Sequence, residues 1–185
     1  MHIATAKLTS LTPLSMSRPH HTPKLEKEGA DEYEKRTWRE RLHADDDGMV
    51  FIPPMMLKNS VAAAAKFLSI QIKGKGKSTY TKHFEAGVLC LEGIRLPVHK
   101  NDVAGEWLYL NADGVRGSAH RVMRCMPCIP KWEGAAKFHV LDDTITSSVF
   151  EHHLREAGNL IGIGRFRPRN NGFYGRFAVE EFAWD

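Results

Sequence analysis

Apolar and polar residues alternate over residues 3–16, the two-residue period of a half-buried strand, with Pro13 marking its end or an edge. Residues 17–48 break that pattern. The run from Ser17 to Gly29 has prolines and histidines but no core periodicity, and Ala30 to Gly48 is charge-dense, with Trp38 and Leu42 one helical turn apart. The segment reads as a flexible or partly helical insertion, and deleting residues 19–44 is expected to leave a folded core. A short strand resumes at Val50–Ile52 and stops at Pro53-Pro54. Met56, Leu57, Val61, Ala64, Ala65 and Leu68 then recur at helical spacing, with prolines just before the start. Residues 71–83, rich in Lys and Gly, read as an exposed loop.

The middle of the chain is strand-rich. Residues 87–99 suggest one or two strands, and residues 106–111 a strand that runs into an Asp113-Gly114 hairpin turn. Residues 118–132 and 135–141 suggest two more. A helix follows over residues 145–157, with Ile145, Val149, Leu154 and Ala157 on one face and Gly158 as its stop. A Gly- and Arg-rich turn leads into a closing strand over residues 176–184. Two β-α-β-like halves around an antiparallel sheet predict an α+β fold with a ferredoxin-like core in one domain, residues 1–185.

Composition narrows the class. With 185 residues, 42% hydrophobic and 26% charged, the chain can close a core without disulfides or metal. Three cysteines make no disulfide framework, no apolar run reaches the roughly 20 residues of a membrane span, and no signal-type core opens the chain. A cytoplasmic protein without a membrane partner is expected.

The net charge of +4 conceals a segregation. Lys58, Lys66, Lys73, Lys75, Lys77 and Lys82 fall in a stretch without Asp or Glu, as do Arg116, Arg121, Arg124 and Lys131. From Arg155 to Arg176 five arginines face one acid, Glu156, whereas nine of the 22 acids lie between Glu26 and Asp47. Three basic segments that converge would make a polyanion footprint.

The strongest chemical signal is Gly162-Ile-Gly164-Arg165-Phe166-Arg167-Pro-Arg169-Asn-Asn-Gly172-Phe173-Tyr174-Gly175-Arg176. Glycines let a phosphate approach backbone N–H groups, guanidinium forks match phosphate oxygens, and the rings of Phe166, Phe173 and Tyr174 offer stacking platforms. The helix precedes the glycines, so this is neither a dinucleotide-binding loop nor a Walker loop. A hairpin whose glycines only permit its turn is the structural alternative.

This loop resembles the signature loop of the RAMP superfamily, the repeat-associated CRISPR proteins, which likewise follows a helix and precedes the last strand. The run Asp47 to Ser60 is similar to the passage by which RAMP backbone subunits enter their first helix, with Pro54 and Asn59 where that family has glycines. Leu11 to Ser15 is a third, weaker match. The resemblance implies a modified ferredoxin-like, RRM-like core with residues 17–48 as a thumb-like insertion and Trp38 as its wedge or neighbour contact. It implies a repeating backbone subunit that holds single-stranded RNA, the guide, in a CRISPR-type ribonucleoprotein filament, with target RNA or DNA, head-to-tail copies of itself and other effector subunits as partners. Lys58, Arg165, Arg167, Arg169 and Arg176, with Gly162 and Gly164, would hold phosphates, helped by Lys73, Lys75, Lys77, Arg121 and Arg124.

Other classes stay open. A phage or mobile-element relative that binds or anneals single-stranded DNA fits the same residues. Asp45, Asp46 and Asp47 are weak catalytic candidates for Mg²⁺-dependent RNA cleavage, and scattered histidines (His20, His21, His83, His99, His152, His153) offer another ribonuclease chemistry. Cys125-Met-Pro-Cys128 is a lone pair that with His120 or His139 would suit Zn²⁺, although a reduced pair in a strand is the simpler expectation. A non-enzymatic protein without a cofactor is the expectation these observations favour.

Overall fold

A computed structural model describes residues 1–112, 117 and 119–185. The Asp113-Gly114 turn and Arg116 lie outside the described residues.

The first strand, β1 (His2–Ser10), buries Ala4, Ala6 and Leu8 completely, and the residues between them face the other way. The chain bends at Leu11–Pro13, and Leu14–Ser15 form a separate two-residue strand, β2, in another sheet. What reads as one strand is therefore two, with Pro13 at the bend. Helix α1 (Ala30–Thr37) and a 3₁₀ turn (Trp38–Arg41) precede β3 (Met49–Ile52). Helix α2 spans Pro54–Leu68, with Pro53 and Pro54 opening it and Ser69 closing it in a left-handed conformation. Helix α3 (Thr81–Gly87) was not anticipated, since its one strong apolar signal is the buried Phe84.

After the stub β4 (Val88–Leu89) come β5 (Ile94–His99), β6 (Ala104–Asn111), β7 (Arg121–Ile129) and β8 (Glu133–Val140). Helix α4 (Ser147–Glu156) does not stop at Gly158. It continues through a widened turn, Ala157–Ile161, before β9 (Phe177–Trp184). Gly158 has a different reason to be there: a Cβ on it would come within 2.1 Å of the Phe177 carbonyl oxygen.

The four-stranded sheet runs β4-β8-β1-β9, antiparallel throughout. With α2 and α3 between β1 and β4, and α4 between β8 and β9, this is the βαββαβ order of a ferredoxin-like core. Leu57, Val61, Ala64 and Ala65 of α2 and Phe150 and Leu154 of α4 share one core with Ala4, Ala6 and Leu8. Two smaller sheets, β2-β7-β6 and β3-β5, extend it. Among the described residues, no helix is long and apolar enough to cross a membrane.

The region 17–48 is tied to this frame by a buried ion cluster. One oxygen of Glu34 accepts the Cys125 N–H at 2.8 Å and an Arg41 N–H at 2.7 Å, and the other accepts from Arg41 at 3.0 Å and Arg124 at 2.9 Å. Burial works against this carboxylate, but the Arg41 fork and the β7 donor hold its pKa below the usual carboxylate value. Trp38 is 6% exposed, with the Arg39 guanidinium 4.1 Å from its ring centroid. A Cβ on Gly105 of β6 would sit 3.0 Å from the Trp38 ring. Trp38 is thus a packing residue against β6 and β7, and the wedge expected of it is corrected: a ring buried inside its own chain cannot enter a base stack. The burial of Trp38, Leu42 and Glu34 argues against the expected tolerance to deletion of residues 19–44.

Glu34→Gln is expected to lower stability by about 2–4 kcal/mol in urea unfolding, because two guanidiniums lose their counter-charge. A loss under about 0.5 kcal/mol would show the cluster to be dispensable. Removing residues 19–44 should abolish cooperative unfolding.

Candidate nucleic-acid interface

The Gly-rich loop, Gly162–Arg176, folds back on itself and onto β2. Ile163 donates its N–H to Gly175 O, Gly175 to Pro13 O, and Arg165 to Ser15 O at 2.8 Å. Gly164 has φ +79° and Gly175 φ +78°. A Cβ on Gly164 would lie 2.4 Å from Ser15 O, and one on Gly175 1.8 Å from Ile163 O. A Cβ on Gly162 would meet the Pro168 ring at 2.6 Å. The space beside these glycines is filled by the protein itself. Gly162 and Gly164, expected to let a phosphate approach, also let the chain pack closely on itself, and Gly164 lines the cleft described next.

Ser15 joins three parts of this arrangement. Its buried hydroxyl donates to Pro127 O on β7 at 3.0 Å and accepts from Arg165 Nε at 3.1 Å. Ser60 of α2 donates to Gly162 O at 3.1 Å. The loop, the end of β2 and the start of α2 are therefore pinned together, and between them opens a cleft of about 410 Å³. Its walls carry Arg18, Arg165 and Arg167, with His43, Pro53, Met55, Met56 and Asn59, and no carboxylate. Helix α2 begins here without a side-chain cap, so its N-terminal partial positive charge adds to the field.

The three guanidiniums are held differently. Arg165 lies 5.2 Å from the Tyr174 ring centroid, and its buried Nη2 has no hydrogen-bond partner among the described residues. Burial first, and Arg169 second, disfavour the charged form of Arg167, and no carboxylate pairs with it among the described residues. The Tyr174 hydroxyl donates to the Glu106 carboxylate of β6, and burial together with that anion pushes the phenol up to about 12. Phe166 (50% exposed, φ +46°) and Phe173 (56% exposed) present their rings to solvent.

The remaining candidates are elsewhere. Lys58 donates its ammonium to Glu85 O at the end of α3, at 2.8 Å, and does not line the cleft. Arg169 reaches Ala63 O at 3.4 Å and Arg176 reaches Asn159 O at 3.0 Å. Arg124 is spent on Glu34, and Arg121 lines a separate hollow with Asp31 and Tyr109. Lys73, Lys75 and Lys77 are exposed on a loop closed by the Gln71–Thr79 bridge, and the last residues of the predicted 71–83 loop belong to α3.

Asp45 accepts the N–H groups of Asp47 and Met49 and pairs with Arg95 at 2.9 Å; Asp47 pairs with the same arginine at 3.1 Å, and Asp46 is exposed. Cys125 and Cys128 sit three apart on β7 and so point to opposite faces of the strand. Burial raises both thiols. Among the described residues, no three His, Cys, Asp or Glu side chains are grouped to hold a metal ion.

Sequence reasoning missed Arg18 and His43, which lie in or beside unpatterned sequence: Arg18 follows β2, which leaves β1 to pair with β7, and His43 is held by the N–H of Phe51 on β3. It also missed Trp107 and Tyr109, 44% and 67% exposed on β6. Their alternation along β6 was the available signal.

Gly175→Ala is expected to cost more than about 1 kcal/mol in thermal or urea unfolding without RNA present, since the site needs both positive φ and contact with Ile163 O. Unchanged stability would return the glycines to a ligand-binding role.

No protein-family model matches the chain, and no curated protein matches it in sequence. Solved structures do. One chain of the Type III-B Cmr-beta bound to cognate target RNA matches with TM-score 0.57 and 10% identity over 99% of this chain and 60% of that one. This chain thus spans about three-fifths of the length of that relative. Cmr6 from Pyrococcus furiosus matches with TM-score 0.48 and 13% identity over 97% of this chain and 99% of that one. The chain shares the fold of that Cmr-beta chain, and at 10% identity the likeness is one of fold alone.

Proposed function

We propose that this chain is an RNA-binding subunit of a CRISPR-type ribonucleoprotein, which grips the sugar–phosphate chain of a single-stranded guide in the cleft between the Gly-rich loop, the end of β2 and the start of α2. The observation that carries the reading is the cleft itself: three guanidiniums and a helix N-terminus converge where no carboxylate answers them. Such a concentration of positive charge, part of it desolvated, is stabilised by a polyanion. Fold likeness to a chain from a complex bound to target RNA supports RNA as that polyanion.

Arg18, Arg165 and Arg167 contact phosphates directly. Arg169 and Arg176 brace the loop through backbone carbonyls and present their remaining N–H groups at its rim. The exposed rings of Phe166 and Phe173 stack on bases that leave the cleft. The chain works as a repeating unit, head-to-tail with copies of itself, and as a binding module without cleavage chemistry.

Labelled single-stranded RNA in fluorescence anisotropy tests this. Arg165→Ala with Arg167→Ala should weaken binding regardless of sequence and flatten the plot of log affinity against log salt by about 0.7 per lost phosphate contact. An unchanged slope in a variant that unfolds at the wild-type temperature would remove these residues as phosphate ligands. Competition with DNA of the same sequence should favour RNA, and RNA incubated with or without Mg²⁺ should stay intact.

A further inference from the structure

We propose that His43 is a fourth ligand of the RNA in the cleft, one that engages only when protonated, so that binding takes up a proton and tightens on acidification. This rests on the reading of the cleft as an RNA site.

His43 follows the 3₁₀ turn and is fixed by its backbone, whose carbonyl accepts the Phe51 N–H at 2.9 Å. Its ring lies edge-on to Phe51, with centroids 5.9 Å apart, and forms part of the cleft wall. Neither ring nitrogen has a hydrogen-bond partner among the described residues. An imidazole whose polar atoms are unanswered beside an anion site is placed to donate to that anion, once it carries the proton to do so.

The surrounding charges decide when it does. The segment after β2 contributes Arg18, and the Gly-rich loop contributes Arg165 and Arg167. The stretch from β3 into α2 contributes Phe51, Pro53, Met55, Met56 and Asn59, none of which titrates. The nearby carboxylates of Asp45 and Asp47 are engaged by Arg95. The preceding 3₁₀ turn carries Arg39, Glu40 and Arg41, and among the described residues Arg18 is the charged group that acts on the ring. Burial first, and Arg18 second, hold the imidazole below its ordinary value, so in the empty cleft it is neutral near pH 7.

A phosphodiester seated among the arginines reverses the sign of that environment. It cancels the repulsion from Arg18 and offers oxygens to the ring, so the imidazolium is favoured in the complex. Between the lower value of the free protein and the higher value of the complex, the complex holds more protons. Linkage then makes affinity rise as pH falls through that window, with plateaus on either side.

The test is RNA affinity at constant ionic strength from about pH 8 to about pH 5.5. The wild type should tighten about three- to tenfold across that range, the change expected when one group takes up a proton on binding. His43→Gln should bind with the weaker affinity at every pH. His43→Arg should bind tightly with little pH dependence. Titration calorimetry in buffers of different ionisation heat should show uptake of a fraction of a proton that His43→Gln abolishes. His20→Gln is the control. His20 is also held low by burial, but its ring stacks on Tyr33 and does not line the cleft, so this variant should keep the wild-type slope. Binding with the same pH slope in His43→Gln as in the wild type overturns the proposal and leaves the cleft reading standing. Absence of RNA binding at any pH in low salt overturns both.

Discussion

The contact of the Gly-rich loop with the end of β2 is the constraint on which the rest depends. Gly164 lies against Ser15, and Gly175 lies between Pro13 and Ile163, at distances that no side chain permits. That contact fixes where Arg165 and Arg167 emerge. Because β2 has already left the plane of β1 to join β7, it also brings Arg18 to the same place. The cleft is thus a product of backbone proximity, and its charges follow from where the backbone is held.

The division of labour among the basic residues follows. Formal charge alone ranks Lys58, Arg124, Arg169 and Arg176 with Arg165 and Arg167. In the folded chain, Arg124 neutralises a buried carboxylate, Lys58 donates to the Glu85 carbonyl of α3, and Arg169 and Arg176 donate to the carbonyls of Ala63 and Asn159. Arg165 is the instructive intermediate: one nitrogen bonds Ser15, its plane lies over Tyr174, and another nitrogen is left unanswered. Ser15 and Tyr174 hold that guanidinium in one orientation, which reduces the entropy lost when an anion arrives.

Much of the frame was legible because its periodicities are local. The stripe from Leu57 to Leu68, the face through Val149 and Leu154, and the alternation along β1, β8 and β9 each declare themselves within one element. Features that need two distant segments were not. Nothing in residues 17–48 announces that Glu34 will meet Cys125 on β7, 91 positions away, or that Gly105 leaves room for Trp38. The glycines of the loop were noticed for their number, but their crowding by Ser15 O or Ile163 O is invisible until the chain has folded. At the cleft, Arg165 and Arg167 are neighbours in sequence and so were visible as a local cluster, whereas Arg18 and His43 depend on convergence.

The bond between Tyr174 and Glu106 joins the loop to β6, and Glu34 joins α1 to β7, the other strand of the same hairpin. The hairpin is therefore gripped near its base from two sides, by the Gly-rich loop and by α1. A displacement of β6 or β7 would be carried through those two anchors to the Gly-rich loop and to α1. Strain in these two strands thus has a mechanical route to the loop that forms one wall of the cleft.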